Sequence, residues 1–197
     1  MKKKLEVQLE IINSNNHEKI MALVEKKLCH QAEIALIKRD NLTEIKKYFA
    51  NWFPHKRAQA FLVENGNPKT IRAYISCGNM FAQRNTEARF IETGCPEDVS
   101  LYISKGNLLY NAAEVALVKR GNSSDIKKYL MKRRICKDAE VALIKRGKHK
   151  EIMFYISLYK FHSLSQVLLF TRGNQKELKT YINMHGFSDN VLNVIVG

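Results

Sequence analysis

Apolar and polar positions follow each other along the chain in a pattern that returns every 26 to 28 residues. Two consecutive copies show it best, AEVALVKRGNSSDIKKYL at 113–130 and AEVALIKRGKHKEIMFYI at 139–156. A fixed period of this length indicates a repeat protein in which each unit is a small set of secondary-structure elements. One tyrosine marks each of six copies, at spacings of 26, 28, 27, 26 and 26 residues: Tyr48, Tyr74, Tyr102, Tyr129, Tyr155 and Tyr181.

The first half of each repeat predicts a short helix that is apolar around most of its circumference, as in AEVALIKR at 139–146. Such a helix must be covered on several sides, by its partner helix and by neighbouring repeats. An acid in its first turn and a Lys–Arg pair in its last turn complement the helix dipole. The acids are Glu33, Glu87, Glu114 and Glu140, and the pairs are Lys38–Arg39, Lys119–Arg120 and Lys145–Arg146.

A glycine or a small polar residue follows the first helix and can adopt the left-handed conformation that ends it. A second helix then starts at once, with an asparagine N-cap or an early proline. Ile126, Tyr129 and Leu130 have the i, i+3, i+4 spacing of one buried stripe on this helix. The turn residues are Asp40, Gly66, Gly94, Gly121, Gly147 and Gly173, with Asn15 in a degenerate first copy. The cap residues are Asn41, Asn67, Asn122 and Asn174, with Pro68 and Pro96 one place later, and the acids three places after the cap are Glu44, Asp125, Glu151 and Glu177.

We therefore predict an all-α fold, an α-α solenoid in which about seven helix-turn-helix repeats form a right-handed superhelix. One solenoid domain would cover residues 1–197. The last segment, FSDNVLNVIVG at 187–197, begins an eighth first helix without a second one. It would cap the last repeat, form a homodimer contact or mark a truncation. The repeats are approximately 6–31, 32–57, 58–85, 86–112, 113–138, 139–164 and 165–190, with a half-repeat or cap at 188–197.

The run VALVKRGNSSDIKKYL at 115–130 resembles the variant leucine-rich repeats and, more loosely, the HEAT-like helical repeats. Units of those families also pair a short apolar helix with a second short helical segment. The resemblance extends over roughly residues 5–187. It implies a binding scaffold, and only rarely an enzyme.

Composition adds a prediction about the compartment. The chain is 45% apolar, which is enough for a substantial core. Its longest apolar runs, such as VALI at 141–144, are far shorter than the ~20 residues of a membrane span. Polar residues, among them Glu6 and Glu10, interrupt any apolar segment after the N-terminal MKKK. Cys29, Cys77, Cys95 and Cys136 lack zinc-type spacing. We therefore expect a reduced, cytoplasmic protein without a membrane partner.

Positive charge is concentrated in the second half of the chain. The formal net charge is +14, and residues 111–181 contain 16 Lys and Arg against 6 Asp and Glu. If equivalent helices pack ~10 Å apart, equivalent basic residues form a ladder with about that step. Such residues would bind an anionic partner through one surface or two, although lysines also serve as solubilising residues. The predicted basic patch consists of Lys119, Arg120, Lys127, Lys128, Arg133, Arg134, Lys145, Arg146 and Arg172.

The tyrosines have two interpretations. They pack between repeats, with the hydroxyl reaching water or a backbone carbonyl, or they form a row of platforms for stacked bases. We favour packing, because each tyrosine lies one turn after an apolar residue of the second helix. Trp52, the only tryptophan, is expected to wedge between the second and third repeats.

No catalytic constellation is recognisable in the sequence. The motifs GxGxxG, GxxxxGK[ST], GxSxG and HExxH are absent. The six histidines are interpreted as sharing no repeat position, so we assign no catalytic residue, metal ligand or cofactor. A base-processing enzyme would need a concave pocket with Trp52 or a repeat tyrosine beside a carboxylate.

We therefore expect a non-enzymatic scaffold that binds another protein of acidic character. The alternative is sequence-nonspecific nucleic-acid binding through the basic patch of repeats five to seven. Glu64–Asn65 and Glu92–Thr93 replace the Lys–Arg pair in the third and fourth repeats, which disfavours a nucleic-acid track along the whole chain. A homodimer through the C-terminal end is a further expectation.

Overall fold

The computed structural model describes residues 2–188, and every regular element in that range is an α-helix. Fourteen helices are present there and no strand, so the all-α prediction is confirmed. The chain divides into two units, residues 1–105 and 106–197. The expectation of one domain stays a prediction. The expected C-terminal cap and homodimer contact fall, apart from Ser188, outside the described residues.

Unit 1 contains the first eight helices. Its odd-numbered helices pack side by side in chain order, and its even-numbered helices do the same, so each helix contacts the one two places further on. The short helices end where the sequence predicts turns. They are α1 (Lys2–Asn13), α2 (His17–Leu23), α3 (His30–Arg39), α4 (Leu42–Asn51), α5 (Lys56–Asn65), α6 (Pro68–Ser76), α7 (Arg84–Thr93) and α8 (Pro96–Ser104).

Unit 2 contains six helices among its described residues and has the same arrangement. Helix α11 packs between α9 and α13, while α12 packs between α10 and α14. The first helices of its repeats thus form one layer and the second helices form another. They are α9 (Asn111–Arg120), α10 (Ser123–Leu130), α11 (Lys137–Arg146), α12 (His149–Leu158), α13 (Ser163–Arg172) and α14 (Gln175–His185).

The helix caps follow the sequence, with one correction. Asn41, Asn67, Asn122 and Asn174 each accept a hydrogen bond from a backbone N–H of the helix that they start. The predicted left-handed turn occurs at Asp40, Gly121, Gly147 and Gly173, where φ is 57°, 82°, 75° and 70°. It was wrong for Gly66 and Gly94, whose φ values are −71° and −64°. Those two residues end α5 and α7 in an extended conformation instead.

The tyrosine rings are buried, as the packing interpretation predicts. All six repeat tyrosines are at most 2% exposed. In unit 1 they join a chain of aromatic contacts, with ring centroids 5.3 Å apart for Phe49 and Tyr74 and 5.1 Å apart for Tyr74 and Phe81. Rings enclosed in this way are not platforms for stacked bases. Trp52 is only half-buried, and the Nζ atom of Lys27 lies 5.8 Å from its ring centroid.

Candidate binding surface

The acids in the first turn of the first helices are buried side chains. Glu33, Glu114 and Glu140 are at most 3% exposed, and each accepts a hydrogen bond from the tyrosine hydroxyl fifteen residues later, at 2.6, 2.7 and 2.5 Å. Their second oxygens accept the backbone N–H groups of His55, Cys136 and His162, which start the next first helices, at 2.8, 2.6 and 2.8 Å. The tyrosine hydroxyls therefore reach carboxylates here, where we expected water or carbonyls.

Two repeats have glutamine in place of this glutamate, and the hydrogen bonds change accordingly. Gln59 and Gln166 donate through Nε2 to backbone carbonyls five residues earlier, at 2.8 and 2.7 Å. Without a carboxylate to accept it, the hydroxyl of Tyr74 donates to the carbonyl of Met80 at 2.6 Å. The hydroxyl of Tyr181 has no hydrogen-bond partner among the described residues. The tyrosine hydroxyl thus bonds to the side chain at this position when it is a glutamate, and not in the two repeats where it is a glutamine.

Burial shifts the acidity of these tyrosines. It raises the pKa of Tyr129 well above its usual range, and the adjacent carboxylate of Glu114 raises it further. Burial also raises the pKa of Tyr181, to about 12. Both phenols hold their proton at neutral pH and act as hydrogen-bond donors or as apolar rings. They have no acid–base role at that pH.

The acids of the second helices are buried as well. Glu44, Asp98, Asp125, Glu151 and Glu177 are at most 2% exposed. Arginines neutralise four of them: the Nε–oxygen distance is 2.9 Å for Arg39–Glu44, 2.7 Å for Arg72–Asp98 and 3.0 Å for Arg172–Glu177, and the Nη1 atom of Arg146 lies 3.0 Å from Glu151 Oε2.

This burial of acids makes the surface of unit 2 more basic than its composition suggests. The described part of the unit, 106–188, has six acids, and five of them are buried: Glu114, Asp125, Glu140, Glu151 and Glu177. Only Asp138 is exposed. The same stretch carries 16 Lys and Arg. Sequence reasoning missed this, although the acid recurs fifteen residues before the tyrosine.

Two arginines of the predicted basic patch bind the preceding repeat. Arg146 donates to the carbonyl oxygens of Val118 and Gly121 at 3.1 and 2.6 Å. Arg172 donates to the carbonyl oxygen of Gly147 at 2.8 Å. A Cβ atom on either glycine would lie 2.6 or 2.5 Å from the guanidinium group. The glycine therefore ends one helix and also makes room for the arginine of the next repeat.

Two histidines share a repeat position, contrary to the interpretation of the sequence. His17 and His149 are the first residues of α2 and α12. The Nδ1 atom of each lies 2.8 Å from a buried carboxylate of the following second helix, Glu44 or Glu177. Both histidines therefore connect neighbouring repeats. This position was missed because leucine, proline, serine or glutamine occupies it in the other second helices.

Of the remaining patch residues, Lys127 and Lys128 lie on α10 in the second-helix layer, and Arg133 and Arg134 lie in the connection between α10 and α11. The Nζ atom of Lys127 is 5.4 Å from the ring centroid of Phe154. Arg134 lies 3.0 Å from Glu140 and 2.9 Å from the ring nitrogen of His162. Lys128 and Arg133 are half-buried. The structure therefore divides the nine predicted residues between the two helix layers and a connection, so they do not form one surface.

Two lysines of the patch border an apolar groove on the first-helix layer. Lys119 and Lys145 are exposed at the last turns of α9 and α11. The groove between these helices has a volume of about 500 Å³. Its lining combines an apolar floor, two lysines and the one exposed acid: Val115, Lys119, Asp138, Val141, Ala142, Lys145 and Arg146.

The grooves of unit 1 are more polar. One of them lies beside α1 and α3 and has a volume of about 680 Å³. Three asparagines contribute to its lining, together with Lys38 and Arg39: Asn13, Asn15 and Asn41. Arg39 is already bound to Glu44. The strongest combination of apolar floor and unpaired positive charge is therefore in unit 2.

Two further features are absent from the described part of the chain, residues 2–188. No cluster of three or more His, Cys, Asp or Glu side chains there would hold a metal ion. No helix within residues 2–188 has the length and apolar character to cross a membrane. Comparison with protein-family models, curated proteins and solved structures finds no match to this chain.

Proposed function

We propose that the protein is a non-enzymatic binding scaffold and that each unit is a segment of a right-handed α-α solenoid. Two observations support this assignment. Within each unit, a helix packs against the helix two places further along the chain, which produces two layers, and the sequence period is continuous. Family membership among the variant leucine-rich or HEAT-like repeats, and a cytoplasmic location, remain expectations from the sequence.

The partner we propose is an acidic segment of another protein, bound on the first-helix layer of unit 2. The observation that carries this proposal is the groove floored by Val141 and Ala142 and bordered by Lys119 and Lys145. The apolar floor favours contact with apolar side chains, which a nucleic-acid backbone lacks. The lysines at its border favour contact with carboxylates. Within residues 106–188, Asp138 in the lining of this groove is the single exposed acid, so little negative charge opposes such a partner.

A titration by fluorescence anisotropy tests the proposal. A labelled peptide that combines acidic and apolar residues should bind the protein, and a peptide with amides in place of the carboxylates should not. Lys119→Glu with Lys145→Glu should abolish binding. The matched control is Lys150→Glu with Lys176→Glu, which makes the same charge change on α12 and α14 and should leave binding intact. Equal loss in both variants would contradict a specific site.

Nucleic-acid binding is the second candidate. It is favoured by the charge of residues 106–188, which contain 16 basic residues and a single exposed acid. Both double variants should then weaken binding of duplex DNA to a similar extent, because a phosphate backbone uses total charge. If about five phosphates are engaged, the logarithm of the affinity should fall with a slope of about −4.5 against the logarithm of salt concentration. An acidic peptide on an apolar floor should show a smaller slope.

A further inference from the structure

The first-helix layer of unit 2 has three parallel rows of residues in the register of the repeats. The helices α9, α11 and α13 contribute to each row. The middle row is apolar and half-buried, and it lies between an exposed row near the C-terminal ends of the helices and an exposed row near their N-terminal ends. The middle row consists of Val115, Ala116, Val141, Ala142, Val167 and Leu168. The C-terminal row consists of Lys119, Lys145 and Thr171.

We propose, building on the proposed function, that the occupant of this layer is an amphipathic helix that crosses α9, α11 and α13. Its apolar face lies on the middle row, and carboxylates seven residues apart face Lys119 and Lys145. Charge complementarity fixes its orientation, because the opposite edge of the middle row carries Asp138 and no base: Ala112, Asp138 and Leu164.

Backbone hydrogen bonding favours a helical occupant over an extended one. The N–H and C=O groups inside α9, α11 and α13 are bonded within their own helices, so the layer offers an extended peptide no backbone partners along its length. An extended segment on the apolar row would leave its own backbone groups unsatisfied at the contact. A helix satisfies its backbone internally and buries an apolar face, as in other helix-in-groove complexes.

The spacing of the lysines gives the register of the carboxylates. Neighbouring packed helices lie about 8–10 Å apart, so the equivalent residues Lys119 and Lys145 are separated by about that step. Seven residues of an α-helix advance about 10.5 Å and return to nearly the same face. A pair of acids at i and i+7 therefore matches the pair of lysines, whereas a pair at i and i+5 points to different sides.

The third helix breaks the symmetry of the row and gives the occupant a direction. Thr171 stands where α9 and α11 have lysine, and Leu168 stands where they have alanine. The end of the occupant that lies on α13 therefore needs no carboxylate and carries a larger apolar contact. A third acid at i+14 would not strengthen binding to the natural protein, because it would lie beside Thr171 and not beside a lysine.

Three labelled peptides of equal length and equal charge test the register. The first has acids seven residues apart on a helical apolar face, the second has them five apart, and the third has the first spacing with two central prolines. We expect the second and third to bind about tenfold more weakly than the first. Lys119→Glu with Lys145→Glu should remove the difference. Thr171→Lys should tighten binding only of a peptide with a third acid at i+14.

The outcomes separate this inference from the function on which it rests. If all three peptides bind equally and the double lysine variant weakens all of them, acidic docking stands and the helical register is wrong. If none of the peptides binds while duplex DNA does, the proposed function fails and the register fails with it. Circular dichroism of each variant checks that the fold is retained.

Discussion

The interiors of units 1 and 2 contain the same kind of pair, while the surfaces of the two units differ in charge. Both bury a glutamate beside a tyrosine, as in Glu33 with Tyr48 and Glu114 with Tyr129. Of the twelve acids within residues 2–105, however, eight are exposed, against one within 106–188. Because the interior is the same, the difference cannot come from the requirements of folding. It supports the proposal that an anionic partner binds unit 2.

Alkaline pH should have the largest effect, and it should affect both units. Folding raises the pKa of the buried tyrosines above the value of about 10 expected in the unfolded chain. Above pH 10 the unfolded state therefore binds fewer protons than the folded state, and stability falls by about 1.4 kcal/mol per pH unit for each tyrosine. Each unit has three of them, so unfolding should begin between about pH 10 and 12.

Tyrosinate absorbance, circular dichroism and Trp52 fluorescence, followed together against pH, check this expectation. Trp52 lies in unit 1, so its fluorescence reports that unit, while circular dichroism reports both. Ionisation of the tyrosines near pH 10 without loss of helix would show that the rings are accessible. Loss of only one unit would show that the two interiors are not equivalent.

Arginine removal should separate the units. Arg146→Met leaves Glu151 buried without its cation and removes bonds to Val118 and Gly121, so we expect a loss of about 3 kcal/mol. Arg72→Met in unit 1 should cost much less, because the side chain of Arg72 is 54% exposed and water screens its pair with Asp98. Urea denaturation followed by circular dichroism measures both. Equal losses would mean that exposure does not set the strength of these pairs.

Tyrosine hydroxyls should matter only where a glutamate accepts them. Tyr129→Phe leaves an oxygen of Glu114 buried without a donor, at a cost of about 1–3 kcal/mol. Tyr48→Phe should cost the same in unit 1, because Glu33 is bound in the same way. Tyr181→Phe is the matched control and should change stability little, since its hydroxyl has no hydrogen-bond partner within 2–188. A large loss for Tyr181→Phe would reveal an unseen partner.

Glycine substitution should have the smallest effect and should test the arginine contact. Gly173→Ala places a side chain at φ 70° with open space around it, so only the conformational cost of about 1 kcal/mol applies. Gly121→Ala has the same cost and also displaces Arg146, so its loss should be about twice as large. Thermal melts compare the two variants. Identical melting temperatures would show that the guanidinium group moves aside freely.

The helices could be predicted from the sequence because their signals are local. Asparagine caps, early prolines and apolar spacing each act within a few residues, and the structure agrees at Asn122 and Pro68. The left-handed turn was predicted wrongly at Gly66 and Gly94 because glycine permits that conformation without requiring it. The first helices that end there also lack the Lys–Arg pair, since Glu64–Asn65 and Glu92–Thr93 stand in its place.

The candidate site could be predicted only in part, because burial depends on neighbouring repeats. Lys119 and Lys145 were identified from their period. Arg146 and Arg172 have the same period but bind carbonyl groups one repeat earlier. Glu114 and Glu140 resembled ordinary surface acids at a helix start, and only their fixed distance to a tyrosine marks them as buried. The period of the basic residues therefore indicated the region of the candidate site, and it did not separate exposed lysines from arginines that bind a neighbouring repeat.

The contact between an arginine and the glycine of the preceding repeat defines what can be exchanged between such proteins. A cut at the edge of the sequence repeat, between residues 138 and 139, separates Arg146 from Gly121. Each of the two residues would then face a residue of an unrelated repeat. A recombined array built from those pieces would bring a side chain against an arginine. The transferable segment is therefore longer than one repeat: it runs from one glycine to the buried acid that follows the arginine of the next repeat, as from Gly121 to Glu151.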